Sequence, residues 1–344
     1  MATVDLSALD PATDPLPVLR TLVAPLGEAV AAERLTGGMF ATTFRVTLAD
    51  GERVIVKTAP TTTDRLLSYE ADLIRTEALV YDLAADRPDL LMPRVLLTDF
   101  TREVVASDVV VASHLTGTPL LAAEFGPIDQ DPRHARTQRE LGALMARLHT
   151  VTGDRFGYPN AATGLQGDTW AQAFGRIVEQ LLADAAQWGT AVPADEVRAE
   201  LARCADALAQ VERPILVHTD LWAGNLFVDV TTGELLGVID TERAFWGDPV
   251  FELSGADQMG RGPVPAELLA GYAQVTTPFD LDDPLVAARL LLYRMFYSLL
   301  LVVEIAPRGY VGDWLAQHRA IAEGNLRWAL DELAALDLPT PAAR

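Results

Sequence analysis

The chain has 344 residues, half of them hydrophobic and 22% charged, with a formal net charge of −21. That length and composition exclude a disordered chain and suit a globular protein with a sizeable core, long for one domain and comfortable for two. The acidic balance excludes the basic footprint of a nucleic-acid binder; it would attract a cationic small molecule, although plain solubility also explains it.

The N-terminus, M-A-T-V-D-L-S-A-L-D, lacks the basic and apolar regions of a signal peptide, so a cytoplasmic location is expected. Leu16–Leu26 predicts a short helix, and Ala31–Leu35, Thr42–Leu48 and Arg53–Thr58 predict three strands, the last two joined by an A-D-G-E turn. Gly37 and Gly38 lie between the first two strands. Adjacent glycines let backbone N–H groups approach phosphates, though a plain flexible turn fits as well. Lys57 ends the strand V-I-V-K, where it could reach nucleotide phosphates or sit in solvent. A helix is expected over Arg65–Ala85, with Leu66, Leu73, Leu79 and Leu83 among its apolar positions. Of its acids, Glu77 is favoured over Glu70 as the partner of Lys57, the other being left as a solvated helix acid. Pro93–Phe100 and Glu103–Ser113 predict a strand pair around Thr101–Arg102. The second strand runs into Gly117-Thr118-Pro119, the profile of a hinge. A nucleobase slotted there would meet backbone groups near Ala112–His114, with the His114 side chain facing solvent.

Beyond the hinge the pattern is mostly helical. Arg133–Val151 and Thr169–Trp188 carry apolar residues at helical spacing. The single cysteine, Cys204, falls in a helical stretch, Ala194–Val211; it excludes an intramolecular disulfide, suits a reducing compartment and is expected to be packed. Helical patterns return over Ala266–Gln274, Pro284–Ile305 and Asp313–Leu336. The most apolar segment, Leu290–Ala306, contains Arg294 and Glu304 and is too short and too charged to span a bilayer, so it is expected as a buried helix. Tyr293, Tyr297 and Glu304 share one helical face. They suit either an acceptor-binding face or two core tyrosines and a solvated acid.

Between these helices lies Val217–Asp240, V-H-T-D-L-W-A-G-N-L-F-V-D-V-T-T-G-E-L-L-G-V-I-D. Asp220 follows the apolar run Ile215–Val217, Asn225 comes five residues later, and Asp240 ends a second apolar run. The turn Thr231–Gly233 lets Leu226–Val228 and Leu235–Ile239 form a hairpin, which is expected to carry Asp240 back beside Asp220 and Asn225. Such a set offers one carboxylate to take a proton, plus a carboxylate and an amide oxygen to hold Mg²⁺, as phosphoryl transfer from a nucleotide needs. The H-x-D-x-x-x-x-N spacing matches a kinase catalytic loop. The bland alternative is a polar loop with Asp and Asn as turn residues. Downstream, in W-G-D-P, Asp248 is expected to cap the next segment or brace the loop.

These residues resemble the aminoglycoside phosphotransferase family of small-molecule kinases, with a protein-kinase-like fold, over roughly Leu35–Leu253. The L-W pair of Leu221 and Trp222 is also similar to the fructosamine kinase relatives. The resemblance implies an α+β, two-lobed fold: residues 1–116 as a nucleotide-binding N-lobe with an antiparallel sheet and a helix, and 117–344 as a larger, mostly helical C-lobe. It implies Asp220 as catalytic base, Asn225 and Asp240 as Mg²⁺ ligands, Lys57 on the phosphates with Glu77 as its partner, and Val111–Leu115 at the nucleobase. ATP is the implied donor, with GTP left open. The acceptor would be a hydroxyl on a small molecule, an amine-bearing aminoglycoside-like antibiotic or amino sugar suiting the charge. Trp222, Tyr297, Glu304 and Asp313 are its candidate contacts. A fructosamine-, choline- or homoserine-type metabolic kinase is the alternative. A nucleotide-binding pseudokinase is a further one, disfavoured because every catalytic position is filled. Four departures stand out: Thr219 replaces the usual Gly, Trp222 stands where many members have His, Glu252 replaces an Asp, and T-E-R follows Asp240 where a protein kinase has F-G. With no long activation loop, a protein kinase is not expected.

Overall fold

Side chains of Thr42–Leu48 alternate strictly between buried and half-buried, the signature of a strand with one face on a core. The computed structural model describes residues 3–10, 13–36 and 40–339, and they divide into two units. Unit 1 is Met1–Arg65, Asp72–Gly117 and Leu236–Arg243; unit 2 is Leu66–Ala71, Thr118–Leu235 and Ala244–Arg344. The main break falls at Gly117, which takes a left-handed φ of 104°. The two short exchanged segments differ from a contiguous division of the sequence.

Unit 1 contains α1 (Leu16–Val23), β1 (Ala29–Leu35), β2 (Thr42–Leu48), β3 (Arg53–Thr58), α2 (Leu73–Leu83), β4 (Val95–Asp99) and β5 (Val109–Ser113). The strands form an antiparallel sheet ordered β1–β2–β3–β5–β4. One face packs Phe44, Val46, Val54, Val56, Val109 and Val111 against Leu19, Leu22 and Val23 of α1. The other sets Val110 against Ile74 and Ala78 of α2. The two-residue period of β3 sends Val54 and Val56 to the first face and Lys57 to the α2 face.

Two expectations change here. The helix begins at Leu73, eight residues later than predicted, because Asp72 takes a left-handed φ of 59°. Leu79 and Leu83 lie on its exposed side, while Leu73, Ile74, Glu77, Ala78, Val80 and Tyr81 are buried. The long strand predicted from Glu103 is only Val109–Ser113. Ahead of it, Val105 bridges Val4 of the N-terminal segment, and Asp108 is held by Arg75 at 2.7 Å and Arg102 at 2.9 Å.

Unit 2 contains β6 (Thr118–Pro119), α3 (Pro132–Leu148), β7 (Phe156–Gly157), β8 (Gln166–Gly167), α4 (Trp170–Gln187), α5 (Ala194–Arg203), α6 (Ala205–Ala209), β9 (Ile215–Val217) and β10 (Leu226–Val228). A hairpin turn over Asp229–Glu234 then leads into β11 (Leu235–Val238), along which the chain passes into unit 1. After the return come β12 (Phe245–Gly247), α7 (Phe251–Ala256), α8 (Ala266–Ala273), α9 (Pro284–Val303), α10 (Ile305–Arg308) and α11 (Leu315–Ala335). Helix starts follow capping chemistry: Asp131, Thr169 and Asp283 each accept a first-turn N–H, and Pro132 and Pro284 follow two of them. The core centres on Trp170, Phe174, Phe245, Phe251 and Tyr293. Asp248 caps the turn into α7 through the Val250 N–H at 3.0 Å. It also accepts from Arg289 at 2.7 Å and Tyr293 at 2.6 Å, tying that turn to α9. Pro284–Arg308 is long and apolar enough to cross a bilayer, but 72% of its apolar window is buried inside the protein. Cys204 is buried between α5 and α6, and burial pushes its thiol up to about 11.

Candidate active site

In unit 1, Lys57 meets three carboxylates. Its Nζ lies 2.7 Å from Glu77 and 2.9 Å from Glu242, and it also pairs with Asp240. Glu77 arrives from the buried face of α2, and Asp240 and Glu242 from the segment just after β11. A relay fixes their order: the Asp240 backbone N–H donates to the Tyr81 hydroxyl at 3.1 Å, and that hydroxyl donates to Glu77 at 2.7 Å. Asp240 itself is left-handed, with φ of 72°. Burial opposes the charge on Lys57, but Asp240, Glu242 and Glu77 together outweigh it and hold the ammonium well above its ordinary value. Burial, and then the charge of Asp240, push the Glu242 carboxyl up to about 8. The same burial and the nearby Glu77 raise the Tyr81 phenol far above its usual range.

Three acids around one lysine leave an excess of negative charge, most of it enclosed. The carboxylate oxygens of Glu77, Asp240 and Glu242 lie within 4.8 Å of one another. Clustered hard oxygen donors of this kind suit Mg²⁺. The residues present therefore fit the metal that phosphoryl transfer requires. Glu242 was not singled out in the sequence; its only signal is an acid two residues past Asp240, in T-E-R.

In unit 2, the loop after β9 holds Asp220 and Asn225 together. Asn225 Nδ2 donates to Asp220 Oδ2 at 3.0 Å and to the Asp220 carbonyl at 2.9 Å. Glu252 on α7 accepts the His218 N–H at 2.7 Å and the Thr219 N–H at 2.9 Å. Tyr297 of α9 donates to the Thr219 carbonyl. These bonds hold Thr219 at a φ of 70°, a left-handed geometry costly for a β-branched residue. Glu252 thus braces the loop that carries Asp220 directly. A further residue, Gln258, donates its amide Nε2 to Asp220 Oδ1 at 2.6 Å; no local pattern in the sequence marks it.

The other expected site residues divide. Gly37 and Gly38 lie outside the described residues. Ala112 is buried in β5, and His114 is half-buried rather than facing solvent, its imidazole lowered by burial and then by Arg53 and Arg45. Trp222, within the loop between Asp220 and Asn225, is 38% exposed, and Asp313 is exposed. Tyr297 and Glu304 are corrected as acceptor contacts: both are buried, Tyr297 on Thr219 and Glu304 beside Arg308 at 3.4 Å and Tyr310 at 3.3 Å. Glu70 is no solvated helix acid. It lies in unit 2, sealed against Arg308 and the Leu67 N–H.

Solved structures share the fold, among them the following three. One assigned as a fructosamine-3-kinase from Thermobifida fusca aligns at 21% identity and TM-score 0.63, covering 90% of this chain and 98% of that one. A choline kinase from Streptococcus pneumoniae aligns at 15% identity and TM-score 0.62, covering 93% and 98%. A thermostable mutant of aminoglycoside phosphotransferase APH(4)-Ia, in ternary complex with AMP-PNP and hygromycin B, aligns at 16% identity and TM-score 0.58, covering 92% and 98%. These likenesses establish an α+β, protein-kinase-like fold. Residues 31–285 match the phosphotransferase enzyme family APH. With three-quarters of its length matched and a kinase-type lysine cluster and Asp–Asn loop in place, the chain belongs to that phosphotransferase family.

Proposed function

We propose that the protein transfers the γ-phosphoryl group of ATP to a hydroxyl of an amine-bearing small molecule, with Mg²⁺. The observation that carries this reading is the largely enclosed Lys57, its side chain 13% exposed, held between Glu77 and Asp240. A lysine fixed in that way can grip α/β-phosphates without wandering, which is what positioning-dominated phosphoryl transfer demands. Asp240 and Asn225 would hold Mg²⁺, with Glu242 close to Asp240; the bound metal would offset phosphate charge. Asp220 would orient the acceptor hydroxyl and take its proton. Its two oxygens accept two amide donors, which orient the carboxylate. The backbone around Ala112–His114 would meet the nucleobase.

The net charge of −21 supports a cationic acceptor. So do the names of the fold neighbours, since fructosamine, choline and aminoglycosides all carry an amine or ammonium. An aminoglycoside-like antibiotic or amino sugar fits, with exposed Trp222 and Asp313 as candidate contacts. ATP as donor favours a cytoplasmic location. The test is ADP release with ATP–Mg²⁺ across hygromycin B, choline and a fructosamine, with Asp220→Asn as control. Turnover of at least one amine, lost in Asp220→Asn by about 10²–10⁴-fold, is expected. Nucleotide binding with no turnover of any of them would overturn the amine-acceptor reading.

A further inference from the structure

The Asp220 carboxylate accepts a side-chain amide on each oxygen, one from the catalytic loop and one from outside it. Asn225, five residues away, bonds Oδ2. Gln258, from the segment that follows α7, bonds Oδ1 at 2.6 Å. Because Asp220 can only accept, the end of the Gln258 amide that faces it must be the NH₂.

Gln258 reaches this place through a fixed path. Helix α7 is tied to the loop by Glu252, and at Gly255 any added Cβ would run into the backbone of Thr219. The next residues are then clamped by two other helices. Asn325 of α11, 4% exposed, donates to the Met259 carbonyl at 2.8 Å and accepts from Arg261 at 2.5 Å. Arg294 of α9 donates to the Gly262 carbonyl at 2.7 Å. Arg261 and Arg294 both lie against the Trp328 ring, 6.0 and 5.7 Å from its centroid. Gln258 thus sits on a segment held on both sides.

We propose that Gln258 is a positioning residue for Asp220. A donor on one oxygen restrains the turn of the carboxylate about its Cβ–Cγ bond less than donors on both do. A second donor on the opposite oxygen fixes its plane, and with it the direction of the lone pair that receives the acceptor proton. A neutral amide does this without neutralising the base, which an arginine or lysine in the same place would do. Misplacement by about 1 Å can cost about 10²-fold in rate, so the alignment is worth holding.

The inference rests on the reading of Asp220 as the base, and the experiment separates the two. Gln258→Ala, Gln258→Glu and Asp220→Asn are compared with wild type by steady-state ADP release, using ATP–Mg²⁺ and whichever of hygromycin B, choline or a fructosamine turns over fastest, or water if none does. Expected is a fall in kcat of about 10–100-fold for Gln258→Ala, with KM for ATP unchanged. Gln258→Glu should be worse still, because it keeps the size but sets a second acceptor against Asp220. A filling role alone predicts the reverse order, with Glu milder than Ala. Adding Gln258→Ala to Asp220→Asn should cost nothing further. The inference is overturned if Glu is milder than Ala, if the loss lies in KM for ATP, or if Gln258 variants match wild type while Asp220→Asn is inactive. An active Asp220→Asn removes the underlying reading instead. Should Gln258→Glu fail to fold by thermal melt, Gln258→Met, which fills the space without a donor, takes its place and must lose kcat as Gln258→Ala does; wild-type kcat in Gln258→Met would overturn the inference equally.

Discussion

Replacing Lys57 with Met roughly keeps the side-chain bulk and removes the charge that buried Glu77 and Glu242 share with half-buried Asp240. Glu242, pushed up to about 8, carries its proton much of the time near neutrality, so Lys57 chiefly balances Glu77 and Asp240. Their oxygens lie within 4.8 Å. At an effective dielectric constant of about 20, two like charges at that range repel by about 3.5 kcal/mol. The variant can escape by protonating one acid, which at about pH 7.5 costs about 4 kcal/mol from an ordinary Glu value. Both routes give a loss of about 3–4 kcal/mol, in line with breaking a buried ion pair. Proton uptake becomes easier in acid, so the loss should shrink to about 1.6 kcal/mol at about pH 5.5. The sign follows because the folded variant binds more protons than its unfolded chain, and its stability relative to wild type therefore rises as pH falls. Urea unfolding of both proteins with EDTA at the two pH values measures this. Adding about 10 mM MgCl₂ should raise the variant's midpoint more than that of wild type, since the acids left behind bind the cation only when folded. A variant within about 1 kcal/mol of wild type at neutral pH, or a loss that grows in acid, would refute the reasoning.

Asp248→Ala should cost about 3–5 kcal/mol in urea unfolding, because Arg289, 9% exposed, keeps its buried charge and loses its carboxylate. Thr219→Gly should raise thermal stability by up to about 1 kcal/mol: relief of left-handed strain gains about 1–2 and glycine's added chain entropy costs about 0.5–1. A fall in melting temperature would show that the threonine side chain contributes more than its backbone costs. Native Cys204 should resist a thiol reagent at about pH 8 and react once urea unfolds the chain. Its raised thiol, at about 11, adds stability that is complete below the unfolded value and is lost as pH rises towards 11, so Cys204→Ala should flatten the alkaline decline of stability.

Much of this protein was legible locally. Strand patterning drew β2 and β3 to the residue, helical spacing of apolar residues drew α3, α4 and α9, and the spacing of Asp220, Asn225 and Asp240 named the chemistry. Short-range rules decide such features, since a period, a cap or a motif needs no partner elsewhere in the chain. Where an acid would go was not legible in this way. The sequence favours Glu77 for Lys57 but leaves Glu70 as a solvated helix acid, whereas a left-handed Asp72 starts the helix after Glu70, which pairs with Arg308. Tyr297 and Glu304 show a tempting helical stripe, and only packing of α9 reveals both as spent on internal bonds. Glu242 joins Lys57, and Gln258 joins Asp220, through contacts between residues 185 and 38 positions apart in the chain. Buried charge and hydrogen-bond satisfaction are settled by whichever groups the tertiary fold brings within about 3 Å, and no pattern along the chain encodes that distance.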